Sequence, residues 1–252
     1  MRVVQVIPQL PPAVNGLGDY ARRLGGALAG LGFEETYLVT DAAWRPGADS
    51  PSPVAVLPRR DAAAFLAAVA ELVGEGGGAT GMILHWVNYA YQKRGCPYWL
   101  VGALAQLRTR HPQLRLVTMF HELYADSPPW GSPFWLRGIQ QRLAVRAAGL
   151  SHACATNTIH HHDCLARWTG RGAEIPRLPV FSNIGDPEEV PSFLAREPEL
   201  VVFGGPGGRS RAYRSPFLAT ACRALGVTAI HDIGPRPQDM PERLAGVPVH
   251  RH

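Results

Sequence analysis

The sequence predicts an α/β protein, with a doubly wound parallel-sheet domain followed by a second, shorter α/β region. Three observations carry this. Short apolar runs of strand type alternate with helical periodicity from the first residues onward. The first strand hands over to a helix through a glycine-bearing turn, Asn15-Gly16-Leu17-Gly18-Asp19-Tyr20. A Pro-rich stretch with Pro179, Pro187, Pro191 and Pro198 and the acids Asp186, Glu188 and Glu189 separates a long run of elements from a short one. Together they place a first domain over 1–180, a linker over 181–198 and a second domain over 199–252. That second stretch is too short for an independent doubly wound domain, so it reads as truncated.

In chain order, Val3-Val4-Gln5-Val6-Ile7 reads as the first strand, followed by a rigid Pro8-Gln9-Leu10-Pro11-Pro12 loop. The helix after it sets Leu24, Leu28 and Leu31 on one face and ends at Gly30 or Gly32. Thr36-Tyr37-Leu38-Val39 and Val54-Ala55-Val56-Leu57 are the next strands. Asp61 caps a helix through Phe65, Leu66, Val69 and Leu72, stopped by Gly74 and the run Gly76-Gly77-Gly78. Met82-Ile83-Leu84 is a buried strand ending in His85-Trp86. The loop from His85 to Pro97 is long, aromatic and polar, which is unusual for a connector.

A helix over Tyr98 to Thr109 leads to the strand Leu114 to Phe120, which delivers His121-Glu122 at its end. A second aromatic loop precedes a long helix from Phe134 to Ala148. Ala153-Cys154-Ala155-Thr156 and a helix through Cys164, Leu165 and Trp168 follow. Past the linker come the strand Leu200 to Phe203, a glycine-rich loop over Gly204 to Arg209, a helix over Pro216 to Leu225 and a strand over Val227 to Ile233.

Bulk properties narrow the function classes. Hydrophobic content of 46% with 18% charged residues describes a soluble globular chain, and no apolar run is long enough to span a membrane. The N-terminus enters a strand without a charged leader, which points to the cytoplasm. Cys96, Cys154, Cys164 and Cys222 lack C-x-x-C spacing and read as reduced thiols. The net charge is +5, from 25 basic residues of which Lys93 is the only lysine. No dense basic run with interleaved aromatics argues for nucleic acid. The balance suits phosphate-bearing substrates or the inner face of a membrane, touched peripherally.

Gly16 and Gly18 invite a phosphate, because a helix N-terminus offers unpaired amides and a favourable dipole. With Ala21 they fit G-x-G-x-x-A, and Asp41 ends the next strand, as a nicotinamide dinucleotide would require. That fit has a flaw. Eight residues, Pro8 to Asn15, separate the strand from Gly16, where a dinucleotide fold turns almost at once.

Taken together, several segments carry a likeness: Pro11-Pro12 through Gly16-Leu17-Gly18-Asp19-Tyr20, the strand-terminal Phe120-His121-Glu122, Phe181-Ser182-Asn183-Ile184, and Phe203-Gly204-Gly205. In this order and spacing they resemble the retaining, family-4-like glycosyltransferases of the GT-B fold. His85 through Gly95-Cys96-Pro97-Tyr98-Trp99-Leu100 and Ser132-Pro133-Phe134-Trp135 look like a subgroup of it. The resemblance implies a first domain binding a carbohydrate or lipid-linked acceptor and a second binding the nucleotide sugar, with no cofactor and no metal. The chain departs from the family in lacking the second domain's E-x7-E helix. Glu189 and Glu197 have that spacing but lie in the Pro-rich linker.

On this resemblance His121 contacts the transferred sugar, Glu122 orients or contacts the acceptor, and Asp19 meets a sugar hydroxyl. The bland alternatives are a histidine cap and a first-turn acid satisfying the helix dipole. Gly16, Leu17, Gly18 and Tyr20 are expected to bind substrate. His85, Tyr89 and Tyr91 are expected to wall the acceptor, or to form a packed aromatic lid. Arg209, Arg211 and Arg214 are expected at the donor phosphate, or on an exposed basic turn. No D-x-D occurs, and His121-Glu122 is not a zincin motif because Ala125 stands where a histidine would be needed. Adjacent residues in His160-His161-His162 point apart on a helix and do not converge on one ion. The other readings are a nicotinamide-dependent oxidoreductase and a glycan- or nucleotide-binding module without catalysis.

Overall fold

Val3, Val4, Val6 and Ile7 are β-branched and show no helical stripe, and the strand they form, β1 (Arg2–Ile7), is buried from Val3 to Ile7. The computed structural model describes the whole chain except residues 49, 52, 75–79, 184, 186, 191 and 236–239, so the glycine run 76–78 lies outside the described residues. The chain divides into two compact units, Met1–Gly185 and Asp186–His252.

In the first unit β1 is followed by α1 (Gly16–Gly30), β2 (Glu34–Val39), β3 (Val54–Val56), α2 (Ala62–Val73) and β4 (Thr80–Trp86). Then come the short helix α3 (Asn88–Tyr91), α4 (Tyr98–Arg110), β5 (Arg115–Phe120), α5 (Ser132–Leu150), β6 (Ala153–Thr156) and α6 (Ile159–Thr169). Helix boundaries follow local chemistry. Asp61 caps α2 by accepting the Ala64 amide at 2.8 Å, and Gly74 ends it at a φ of 70°. Asn15 caps α1 by accepting the Gly18 amide at 2.7 Å. Six parallel strands run in the order β3-β2-β1-β4-β5-β6, with Val6 opposite Leu38 on one side and Leu84 on the other.

Successive strands step outward from β1 in one direction and from β4 in the other. The order therefore reverses between β1 and β4, where open sheets of this kind bind ligands. Beneath this point lies the main core, in which Val6, Leu84, Trp86, Leu100, Leu104 and Phe120 are fully buried. Each such side chain contributes about 1.5–3 kcal/mol. Truncating Leu84 to alanine would cost about 2–5 kcal/mol and loosen the strand that ends in His85.

The second unit contains β7 (Glu199–Phe203), α7 (Pro206–Arg214), α8 (Pro216–Ala224), β8 (Ala229–Ile233), β9 (Arg243–Leu244) and β10 (Val247–Arg251). Its sheet runs β7-β8-β10-β9, parallel except for the β9–β10 pair. Two expectations are corrected here. The glycine-rich segment after β7 is not a loop through Arg209, because Pro206, with φ preset for a first helical position, starts α7 within it. Nor does regular structure stop at β8: β9 and β10 follow it.

Candidate functional site

A cavity of about 510 Å³ opens at the carboxyl ends of β1, β4 and β5, at the reversal of strand order. The loop after β1 supplies Pro8, Gln9 and Asn15, and the start of α1 supplies Gly16, Leu17 and Tyr20. Val87 and Ala90 follow β4, His121 and Glu122 follow β5, and Val180 and Asn183 come from the end of the unit. The β1 loop is held in place: the Trp44 indole donates to the Leu10 carbonyl at 2.6 Å and the Ser50 hydroxyl to the Pro11 carbonyl at 2.9 Å. A cis peptide joins Pro11 and Pro12.

His121 is fixed from several sides. Its backbone N–H donates to the Trp86 carbonyl at 3.0 Å, extending the β4–β5 pairing by one residue. Its ring lies nearly parallel to that of His85, with centroids 5.4 Å apart, and meets the Tyr20 ring edge-on at 5.0 Å. Tyr20 is in turn stacked on Phe181 at 4.5 Å. Burial, and then the neighbouring His161, push the His121 pKa down to about 4, so the ring is neutral at physiological pH. Burial, and then His121 itself, hold His85 well below the ordinary histidine value. Loss of surrounding water raises the Glu122 carboxyl.

Of the residues expected at the site, Gly16, Leu17, Tyr20, His121 and Glu122 line the cavity together. The first amides of α1, at Gly16 and Leu17, are those that a first helical turn leaves without intrahelical partners. The Gly18 amide is taken by the Asn15 cap, and Gly18 itself is buried behind the loop. A Cβ there would come 2.8 Å from the Gln9 carbonyl oxygen, so the glycine serves loop-to-helix packing and not ligand approach. Asp19 sits in the first turn of α1, half-buried and outside the cavity lining.

His85 and Tyr91 do not wall the cavity. Both are fully buried, and the Tyr91 hydroxyl donates to the carbonyls of His85 at 2.8 Å and Val6 at 3.2 Å. They support the site from beneath because α3 folds the aromatic loop back onto the strand ends. Tyr89 is partly exposed but turned aside, its hydroxyl accepting from Gln140 at 3.1 Å.

Arg209 is also corrected. Its guanidinium is buried in the second unit and ion-paired with Asp232, and Cζ would lie 3.4 Å from a Cβ at Gly234, so it is not presented to a phosphate. Arg211 and Arg214 are exposed on α7. The three histidines at the start of α6 diverge. His160 meets the Tyr124 hydroxyl, His161 faces His121 electrostatically, and His162 pairs with Asp163. Among the described residues no group of three or more His, Cys, Asp or Glu could hold a metal ion. No helix among them is long and apolar enough to cross a membrane.

Sequence reading gave no site role to Gln5, Gln9 or Asn183, although Asn183 stands in one of the segments that carry the resemblance. The signal at Gln5 was available, as the one polar residue inside the run Val3 to Ile7. Asp41, required by the nicotinamide reading, is committed elsewhere: it accepts from Gln9 at 2.6 Å and from the Ala43 amide at 3.0 Å, and pairs with Arg60 at 3.4 Å.

No protein-family model matches the sequence, and no curated protein matches it. Among solved structures, an alpha-glucosyltransferase in complex with UDP matches with a TM-score of 0.47 and 12% identity, over 100% of this chain and 68% of that one. A putative UDP-N-acetylglucosamine 2-epimerase from Listeria monocytogenes matches with a TM-score of 0.51 and 11% identity, over 99% of this chain and 68% of that one. The fold of this chain is thus of the GT-B-like α/β class.

Proposed function

We propose that this chain is a sugar-nucleotide enzyme of the glycosyltransferase kind, moving a sugar from a nucleoside diphosphate to an acceptor hydroxyl with retention. The observation that carries the reading is the cavity at the reversal of strand order. There a helix N-terminus, whose first amides at Gly16 and Leu17 lack intrahelical partners, shares one wall system with a neutral histidine, a carboxyl and the Tyr20 ring. Amides suit phosphate oxygens, and the imidazole and carboxyl suit sugar hydroxyls.

In the proposed step the bond from the anomeric carbon to the phosphate oxygen breaks, and the acceptor oxygen bonds to the same face. The acceptor proton passes to the departing phosphate. No side chain becomes covalently attached, and helix amides stabilise the developing charge. His121 and Glu122 hold hydroxyls so that the anomeric carbon faces the acceptor. Neither cofactor nor metal is required. The exposed Tyr98, beside Arg142 and Arg146 of α5, and the exposed Trp130, Phe134 and Trp135 suit contact with an anionic membrane surface at the cytoplasmic face, where a lipid-linked acceptor would be met.

Isothermal titration of the chain with UDP, GDP and NAD tests the reading, followed by a transfer assay with the sugar conjugate of whichever nucleotide binds. Binding of UDP or GDP and turnover lowered about a hundredfold by His121→Ala, a loss of ~3 kcal/mol, is expected. Preferential binding of NAD would replace it with the oxidoreductase reading. Nucleotide binding without turnover would leave a binding module.

A further inference from the structure

Gln5 is a polar side chain in the middle of an apolar strand, with no exposed surface. Such a group is retained only where its hydrogen bonds are made. Its amide nitrogen donates to the Ala21 carbonyl at 3.1 Å and to Glu35 Oε1 at 2.9 Å. A carbonyl and an ionised carboxylate only accept, so both contacts require nitrogen at that corner of the amide. The orientation of Gln5 is therefore fixed by its partners, and Oε1 is the atom that faces His85 Nε2 at 2.7 Å.

The consequence runs along the chain of contacts. Gln5 Oε1 only accepts, so His85 Nε2 carries its proton. His85 is buried and neutral, which leaves Nδ1 as a bare acceptor. His121 Nε2 lies 3.1 Å from that nitrogen and must donate to it. His121, neutral as well, is left with an unprotonated Nδ1 that has no hydrogen-bond partner among the described residues, on a side chain that lines the cavity. Glu35 anchors the far end, its second oxygen accepting from the Tyr37 hydroxyl at 3.0 Å.

We infer that Gln5 and His85 are positioning residues that hold His121 as its Nε2–H tautomer, so that it offers Nδ1 as an acceptor to a hydroxyl of the bound ligand. A phosphate or carbonyl oxygen at this nitrogen would set lone pair against lone pair. The relay therefore divides the cavity, with anionic oxygens at the Gly16 and Leu17 amides and a donating hydroxyl at His121. The identity of that hydroxyl as a sugar's rests on the proposed function; the tautomer does not.

Long-range proton–nitrogen correlation spectra of the uniformly 15N-labelled chain at neutral pH read the tautomer directly. The His121 pair is identified by its disappearance in His121→Ala. A pyrrole-like shift at Nε2 with a pyridine-like shift at Nδ1 is expected, and the reverse pattern overturns the inference. Gln5→Met keeps the volume and removes the acceptor oxygen that holds the His85 proton on Nε2. In the folded variant, confirmed by its thermal melt, both His121 shifts should move toward the average of mixed tautomers. Unchanged His121 shifts there would show that Gln5 fills space and positions nothing. A wild-type chain with the expected tautomer that binds neither UDP-glucose nor GDP-mannose would sink the proposed function and leave this assignment standing.

Discussion

Two buried polar clusters, one in each unit, are bonded to very different extents. In the first, Gln5, His85 and His121 form a line of matched donors and acceptors that begins at Glu35 and ends in the cavity. In the second, Arg209 and Asp232 neutralise each other's charge, yet Nε and Nη2 of Arg209, Oδ2 of Asp232 and the Tyr213 hydroxyl have no hydrogen-bond partner among the described residues. The strands differ in the same sense. β1 is buried from Val3 to Ile7, whereas β7 leaves Val201 and Phe203 exposed. A routed network specifies the state of one reactive group at modest energetic cost. A neutralised but under-bonded pair stores its effect in stability, because each orphaned group costs about 1–3 kcal/mol and breaking the pair costs more.

The sharpest way to break this contrast is to remove one charge from the second unit. Asp232→Leu should leave a buried, uncompensated guanidinium and destabilise that unit by about 3–5 kcal/mol. Arg209→Met added to it should recover most of the loss. Native-state hydrogen exchange at β7 and β8 amides is the measurement, with exchange accelerated at least a hundredfold in the single variant. Equal exchange in the single and double variants would mean the pair is not energetically coupled.

A smaller effect separates two glycines of the first unit. Gly18→Val drives a side chain into the Gln9 carbonyl and should cost about 1–3 kcal/mol, visible as a lowered melting temperature. Gly16→Ala meets nothing nearer than Asn183 Nδ2 at 3.9 Å, so its melting temperature should stay at the wild-type value or rise slightly. If both variants melt alike, the division between a packing glycine and a cavity glycine is wrong.

Sequence made the local features of this molecule legible and hid the ones built from distant partners. The Asp61 and Gly74 boundaries of α2 follow from residues within one turn, and the alternation of elements announced the parallel sheet. His121 was visible as the polar end of an apolar strand. The role of Gln5 was not, since its partners stand at positions 21, 35 and 85. Tyr91 looked like a cavity aromatic because nothing nearby shows that α3 turns it beneath the strand ends. Arg209 looked like a phosphate ligand because its glycine-rich setting concealed both the helix begun by Pro206 and an acid 23 residues later. β9 and β10 are two and five residues long, with Pro248 in the latter, too short a pattern to stand out.

The gentlest test acts on the network of the first unit through pH. Unfolded, His85 and His121 would each take a proton near pH 6.5. Folded, His121 resists protonation down to about 4, and His85 also stays neutral well below its ordinary value. Between those limits the unfolded chain binds more protons than the folded one, so stability rises with pH and falls on acidification. Each histidine contributes a slope of at most about 1.4 kcal/mol per pH unit below 6.5, before screening of the partly exposed ring is counted. Chemical denaturation from pH 7.5 to 5 should show the decline, and His121→Asn, which removes a titrating ring, should flatten it. Ligand binding at His121 should hold constant down to about pH 5 and weaken as Nδ1 takes a proton near 4. A binding midpoint near 6.5 would mean that His121 titrates as an ordinary exposed imidazole, and the buried relay would then have no hold on its chemistry.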